Sequence, residues 1–349
     1  MDKTLVGTLG DYSPGTTYEE KFPEMNEVNT NYPSCTYLTN SQPGDNTSQT
    51  VKYSFDTKTY YNMQEITVEF KENDPETENY GWDDYTMQFF ANIDYAYKSV
   101  AMTGGSDVVV ADVTPDNLYT EIAYECNLPA RVTVSPTNAS PGEEITLTGG
   151  TRGLATISAK RDGITLKQLK VKTYPKLRKT VSVQLIHEAG GDGDAGYTSQ
   201  CDIDAQDIKD KLDQVYRQAV VEFTVHKLSP TTTSFDINHD GHIDVSCWTN
   251  AEYQAVIDAC GNTNDYNIFL ISYPSDYTVG GMMEIDQKYG FVHSSSPTVL
   301  AHELGHGLGM YHSKPPAFPG YDRENIMYGP NGVSSQWRLR KYQWDICNP

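Results

Sequence analysis

The residues best suited to chemistry lie together near the C-terminus of the chain. His302 and His306 are four positions apart, so on a helix both imidazoles project from one face and can bind one metal ion. Glu303 lies between them, close enough to reach a water on that ion without being a ligand. Gly309 permits a sharp backbone turn that would bring His312 round as a third ligand. Three histidines at this spacing predict a zinc site.

Zinc with three protein ligands keeps its fourth position for water, which is typical of catalytic rather than structural sites. Bound zinc lowers the pKa of that water to about 7 and polarises a carbonyl group. We therefore expect Glu303 to act as the general base, which takes a proton from the water.

This segment resembles the HExxHxxGxxH signature of the metzincin zinc metalloproteases. Metzincins also have a methionine turn beneath the metal, and Met327, 15 residues after His312, is a candidate for it. The pairs His312-Ser313 and Met327-Tyr328 are closest in motif to the matrixin branch, whereas astacins and serralysins would have a tyrosine at position 329. The resemblance implies that the three histidines bind zinc and that Met327 forms an apolar floor without being a ligand.

The resemblance also implies an architecture, in which a twisted sheet and two helices carry the zinc motif and an edge strand binds an extended peptide. Residues 280–285 are the natural candidate for this strand, with Gly281, Met282 and Met283 as substrate-binding residues. Residues 334–340 resemble the C-terminal helix of the family.

A second motif predicts a calcium site of structural importance. Oxygen-bearing side chains at positions 1, 3, 5 and 9 of a loop, with glycine at position 6, match a D-x-[DN]-x-DG calcium loop. Position 12 is Cys247 instead of the glutamate of an EF-hand, so the loop is of a different, shorter type. The alternative is an ordinary turn without metal. The predicted calcium ligands are Asp236, Asn238, Asp240, His242 through its backbone carbonyl, and Asp244.

Composition and charge exclude several classes of function. The chain of 349 residues has 47 acidic and 26 basic residues, and a net charge of −21 would repel nucleic acid and anionic membranes. No apolar run has the roughly 20 residues that a membrane-spanning helix needs. Six cysteines without a CxxC pair favour disulfide bonds and a secreted or extracellular protein. The N-terminus has no signal-peptide pattern, so we expect a mature form.

Patterning along the chain predicts a multidomain protein, in which all-β domains precede an α+β metzincin-like catalytic domain. Alternating runs such as residues 51–55 and 66–70 are typical of strands, and from about residue 179 strands and helices interleave. Asp204 is a plausible cap for a helix whose buried face carries Ile208, Leu212, Val215, Tyr216 and Ala219. The predicted boundaries are 1–20 for a lead-in, 21–128 for a β-rich domain, 129–178 for a small β-sandwich-like unit and 179–349 for the catalytic domain.

The sequence thus predicts a secreted zinc-dependent endopeptidase that acts on a protein or peptide substrate, with zinc as catalytic and calcium as structural cofactor. An alternative is an extracellular binding or adhesion protein with a vestigial metal site. A third possibility is an enzyme held latent by its N-terminal half. Oligomeric state, cleavage preference and disulfide pairing stay open.

Overall fold

The computed structural model describes residues 36–39, 49–52, 66–73, 80–84, 95–114, 122–190, 196–245, 250–261, 264–313, 324–329 and 336–349. The chain divides into two units, Met1–Thr67 with Val113–Leu118, and Val68–Asp112 with Tyr119–Pro349. The candidate site lies in the second unit. The predicted lead-in, residues 1–20, lies outside the described residues.

The described part of the chain as far as residue 174 is built mainly of strands. They are β1 (Thr36–Thr39), β2 (Gln49–Lys52), β3 (Thr67–Glu72), β4 (Trp82–Asp83), β5 (Tyr95–Ala101), β6 (Ser106–Thr114), β7 (Ile122–Cys126), β8 (Val132–Ser135), β9 (Asn138–Ala139), β10 (Glu144–Gly149), β11 (Gly153–Arg161) and β12 (Ile164–Tyr174). β1 and β2 pair with each other. The others form a four-stranded sheet, β3-β6-β10-β8, and a six-stranded sheet, β4-β5-β12-β11-β7-β9. We call residues 66–174 the β region.

The β region follows the alternation seen in its sequence. In β6 and β10 every second side chain is buried, and Val109, Ile145 and Leu147 are completely buried, so each strand contributes one face to an apolar core. β12 pairs in parallel with β5, and β10 pairs with β6. Strands from both sides of the predicted 128/129 boundary therefore share both sheets. The predicted boundary is therefore wrong. It could not be recognised from the sequence, because pairing between strands that are distant in sequence leaves no local signal.

A mixed sheet follows, and its first strand begins at Leu177, near the predicted boundary at residue 179. Its strands are β13 (Leu177–Glu188), β14 (Val221–Lys227), β15 (Thr231–Thr233), β16 (Tyr266–Leu270), β17 (Gly281–Met283) and β18 (Tyr289–Val292). The order is β14-β13-β16-β18-β17, with β15 beside β13. All pairs are parallel except β17 with β18. All five residues of β16 are buried, as expected for a central parallel strand.

Four α-helices lie among the described residues. They are α1 (Ala205–Tyr216), α2 (Ala251–Cys260), α3 (Pro297–Gly307) and α4 (Lys341–Cys347), with a 3₁₀ turn at Arg217–Ala219. None of them is long and apolar enough to cross a membrane.

Two of the sequence predictions about helices are confirmed and one is wrong. Asp204 caps α1 by accepting the N–H of Gln206, and the predicted face of α1 is buried. The helix predicted from about Pro297 is α3. The C-terminal helix is Lys341–Cys347 rather than 334–340, and among the residues of that earlier stretch that the structure describes, 336–340, none is helical.

Candidate metal centre

Helix α3 begins with strong local signals. The side chain of Ser296 accepts the N–H of Val299, and Pro297 occupies the first turn, where its missing N–H costs nothing. Every residue of the helix from Thr298 to Gly307 is buried. His306 is four positions after His302 on this helix, and their imidazoles lie one turn apart on the same face, with ring centroids 5.0 Å apart.

The chain reverses directly after α3. Gly309 has a φ of +94°, in the left-handed region that glycine adopts without strain, and the N–H of Met310 donates to the carbonyl of Gly305. A Cβ at residue 309 would also lie 2.8 Å from Oδ1 of Asp286. This turn returns His312 to the helix, where its Nε2 lies 3.0 Å from Nε2 of His302 and 3.1 Å from Nε2 of His306.

Backbone carbonyls fix the tautomers of the two helical histidines. Nδ1 of His302 lies 2.7 Å from the carbonyl oxygen of Ile326, and Nδ1 of His306 lies 2.8 Å from that of Met310. Because a carbonyl oxygen only accepts, Nδ1 carries the proton in each ring and Nε2 keeps a free lone pair. Both lone pairs belong to the nitrogens that converge with His312.

Burial keeps these rings uncharged. It lowers the pKa of His302 to about 4, with a smaller contribution from the neighbouring His306 and His312. Burial also lowers the pKa of His306 and of His312, although His312 lies on the exposed side of the cluster. Neutral imidazole is the form that binds a metal ion, so the cluster is ready for one without losing protons near neutral pH.

The donor set fits zinc. Zn–N bonds of about 2.0–2.1 Å in a tetrahedron place the ligand nitrogens about 3.4 Å apart, close to the 3.0 and 3.1 Å observed between the Nε2 atoms. Among the residues that the structure describes, no other group of three or more His, Cys, Asp or Glu side chains lies close enough together to hold a metal ion. Nitrogen donors of this kind suit zinc better than calcium.

Glu303 lies at the wall of a cleft beside the histidines. The cleft has a volume of about 350 Å³ and is lined by Thr278, Val279, Gly281, Met282, Met283, Glu303, His306 and His312. The Glu303 side chain is buried, and burial raises its pKa to about 8, although the N–H of Met283 donates a hydrogen bond to the carboxylate. A carboxyl group with a pKa near neutrality can both accept and return a proton.

The predicted substrate-binding residues form strand β17 at the edge of the mixed sheet. β17 pairs with β18 through Gly281–Val292 and Met283–Gly290. A Cβ at residue 281 would lie 2.7 Å from Cγ of Glu303, so only glycine fits between this strand and the carboxylate. The structure therefore brings the predicted edge strand, the predicted base and the three histidines together.

Met327 lies beneath the helix that carries the ligands. Its side chain is completely buried, and a Cβ at Gly305 would come within 2.5 Å of its sulfur. The carbonyl of Met327 accepts the N–H of Ser313, which ties this turn to the segment after His312. Met327 thus packs against the helix at Gly305, and its assignment to a methionine turn stays a prediction.

The residues of the predicted calcium loop lie together, and their oxygens bond to the loop itself. Asp236 accepts the N–H groups of Asp240 (3.2 Å) and Gly241 (2.7 Å), and Asp240 accepts that of His242 (2.9 Å). Gly241 has a φ of +79°, as the predicted turn requires. Asn238 accepts the same Asp240 N–H at 3.0 Å. This arrangement is compatible with either the calcium loop or the metal-free turn, and calcium stays a prediction.

Sequence reasoning missed two groups of residues around these sites. Glu252, on α2, is buried, and its carboxylate accepts the N–H of Ile237 (3.3 Å) and of Asp244 (2.5 Å) in the calcium loop. Asn325 and Gln343 form a buried amide pair beside the methionine turn. Neither group has a signal in the sequence, because each contact joins separate elements.

The cysteines give no support to the predicted disulfide bonds. Cys126, Cys201, Cys260 and Cys347 are free thiols, and burial raises the pKa of each. Cys35 and Cys247 lie outside the described residues. Disulfide bonds, and the secreted location inferred from them, therefore stay predictions.

Comparison with known proteins leaves the family open. No family model matches the chain, and no curated protein matches it. One similar solved structure is a chaperone–substrate complex, at 12% identity and a TM-score of 0.31, over 59% of this chain and 38% of that one. Another is a Bacteroides ovatus GH5 xyloglucanase in complex with a XXXG heptasaccharide, at 11% identity and a TM-score of 0.20, over 61% of this chain and 49% of that one. The chain thus spans less than half the length of either, and TM-scores this low do not establish a shared fold.

Proposed function

We propose that the protein is a zinc-dependent endopeptidase whose catalytic part, residues 179–349, has a metzincin-like architecture. One observation carries the proposal: two histidine Nε2 lone pairs, fixed by carbonyl acceptors on Nδ1, converge with His312 beside a cleft that contains a buried carboxylate. A ligand set alone is compatible with a structural site. The adjacent cleft and Glu303 favour a catalytic one.

The residues of the cleft divide the chemistry between them. Zinc at the three histidines would polarise a peptide carbonyl and lower the pKa of a water molecule. Glu303 takes a proton from the attacking water and delivers it to the nitrogen of the leaving amine. The N–H of Met283 orients the Glu303 carboxylate, and burial raises the carboxyl pKa to about 8, which makes the carboxylate a stronger base.

Strand β17 supplies a surface for an extended peptide. Among the described strands it pairs with β18 on one side and lies at the end of the sheet order, so the backbone groups on its other side face away from the sheet. A peptide that pairs with this edge would lie along the cleft, because Gly281, Met282 and Met283 also line it. A macromolecular peptide substrate fits this arrangement better than a small molecule.

The test compares metal content and proteolysis in matched variants. The wild-type chain should bind about one zinc ion and cleave casein, and a chelator should abolish cleavage until zinc is restored. Glu303→Gln should keep the zinc and lose at least about 100-fold in rate, since general acid–base catalysis contributes roughly 10²–10⁴-fold. Asp258→Asn removes an exposed acid of α2 that does not line the cleft and should keep full activity.

Three results would contradict the proposal. Cleavage that persists in zinc-loaded Glu303→Gln would show that Glu303 is not the general base. Cleavage unaffected by the chelator would show that the reaction does not need the metal. A zinc-loaded wild-type chain that cleaves neither casein nor a peptide library would favour the extracellular binding protein with a vestigial site.

A further inference from the structure

Asn325 and Gln343 form a reciprocal amide pair in the interior. Nδ2 of Asn325 donates to Oε1 of Gln343 at 2.7 Å, and Nε2 of Gln343 donates to Oδ1 of Asn325 at 3.1 Å. Both side chains are completely buried. A buried amide is costly unless its donors and acceptors are paired, so the two side chains hold each other in one orientation.

The pair ties the methionine turn to the start of α4. Oδ1 of Asn325 also accepts the N–H of Met327 at 2.9 Å, and Oε1 of Gln343 also accepts the N–H of Arg340 at 2.8 Å. The Ile326 peptide lies within this frame, with its N–H donating to the carbonyl of Arg338 at 3.0 Å. The carbonyl of the same residue accepts the proton on Nδ1 of His302 at 2.7 Å. The orientation of that carbonyl is therefore set by groups that do not themselves ligate metal.

The frame continues into the β region. Asp83, completely buried on β4, accepts the N–H of Lys341 at 2.8 Å through Oδ2, and its Oδ1 lies 3.5 Å from the Arg340 guanidinium. This carboxylate therefore caps the first turn of α4 and fixes the residue that donates to Gln343. An unbroken series of hydrogen bonds links Asp83 to the helix, the amide pair and the methionine turn.

We propose that Asn325 and Gln343 are positioning residues for the metal centre. They fix the Ile326 carbonyl, and through it the tautomer and the ring orientation of His302. Partners that orient a ligating histidine from behind tune metal affinity as well as structure. The proposal rests on the metal site of the proposed function but not on peptidase activity, because its measured quantity is zinc affinity.

The experiment measures zinc affinity by competition with a chromophoric chelator, and the absorption spectrum of the Co²⁺-loaded protein. Asn325→Ala should bind zinc about 10–100-fold more weakly than the wild type, the usual effect of losing an outer-sphere partner, and should show an altered Co²⁺ spectrum. The control is Asn267→Ala, which removes another completely buried side-chain amide. Its Oδ1 accepts a hydrogen bond from the Ser182 hydroxyl in the mixed sheet at 2.7 Å. It should retain wild-type affinity and spectrum at a comparable loss of thermal stability.

Gln343→Met, which keeps most of the buried volume, carries the test if Asn325→Ala does not fold, and should weaken zinc binding in the same way. Wild-type affinity and spectrum in a folded variant of the pair would overturn the proposal, as would equal weakening in Asn267→Ala. A wild-type chain that binds zinc without cleaving peptides would refute the proposed function and leave this inference standing. A wild-type chain that binds no zinc would overturn both.

Discussion

Gly281 and Glu303 approach each other so closely that a Cβ on Gly281 would lie 2.7 Å from Cγ and 2.9 Å from Oε1 of the glutamate. The same Cβ would lie 2.8 Å from the carbonyl oxygen of Phe291 on the neighbouring strand, so it has no free side to move toward. Strand β17 and Glu303 on α3 are therefore in direct contact through a glycine. The position of the carboxylate depends on the absence of a side chain at residue 281.

Gly281→Ala should displace the Glu303 carboxylate and slow peptide cleavage by up to about 100-fold, the effect of misplacing a reacting group by roughly 1 Å. Zinc content should be unchanged, because none of the three atoms nearest to the new methyl group belongs to a histidine of the cluster. Rate and zinc content are measured together. Gly163→Ala is the control, since residue 163 has a φ of +80° and open space around it. It should lose about 1–2 kcal/mol of stability and keep the activity.

His312→Ala should weaken zinc binding by more than the roughly 10–100-fold expected for an outer partner, because it removes a ligand itself. His312 lies at the exposed side of the cluster, after the end of α3, so the helix should fold normally without it. Dialysis against a mild chelator followed by metal analysis measures the loss. Zinc content equal to that of the wild type would exclude His312 as the third ligand.

His293 should make the protein less stable on acidification. Burial lowers the pKa of its imidazole to about 4, and Nδ1 lies 2.9 Å from the carbonyl oxygen of Ile271. In the unfolded chain the pKa returns to about 6.5, so between these values the unfolded state binds the proton and the native state does not. The stabilisation is complete above pH 6.5 and is lost as the pH falls toward 4, by about 3 kcal/mol in total.

Urea unfolding at pH 7 and pH 4.5, with the zinc concentration held constant, measures this effect. The difference in unfolding free energy between the two pH values should be smaller in His293→Gln than in the wild type. His226→Gln, at an exposed position of β14, should retain the wild-type difference. An unchanged difference in His293→Gln would show that another group causes the acid sensitivity.

Local signals in the sequence account for the parts of the site that are local. The spacing of His302 and His306 and the turn at Gly309 place the three histidines within one helix and the turn after it. Their grouping could therefore be predicted directly from the sequence. The start of α4 could not be predicted from the sequence, because the carboxylate that accepts the first N–H of the helix belongs to Asp83, 258 residues earlier. The contact of Asn325 with Gln343 could not be predicted from the sequence either, because it depends on how separate elements pack.

Calcium distinguishes the two interpretations of the loop that contains Asp236 and Asp240. If the loop binds Ca²⁺ only in the native state, a hundredfold excess of calcium over its Kd should stabilise folding by about 2.7 kcal/mol. Two buried carboxylates lie at this loop, since Asp236 is its first residue and Glu252 on α2 accepts the N–H of Ile237. Burial is the main cause that raises the pKa of Glu252, and repulsion by the charges of Asp236 and Asp240 adds to it. A bound cation would relieve that repulsion.

The melting temperature, measured with calcium and with a calcium-selective chelator, provides the test. The increase caused by calcium should be largely lost in Asp240→Ala and retained in Asp258→Ala, which removes an exposed acid of α2. Zinc content should be equal in all three proteins, because the calcium loop and the histidine cluster are built from different residues. Since a trapped ion would hide the effect, the chelated sample is first unfolded and refolded. Identical melting curves after that step would identify the segment as a metal-free turn. It would then be held by the hydrogen bonds that the carboxylate of Asp236 accepts from backbone N–H groups.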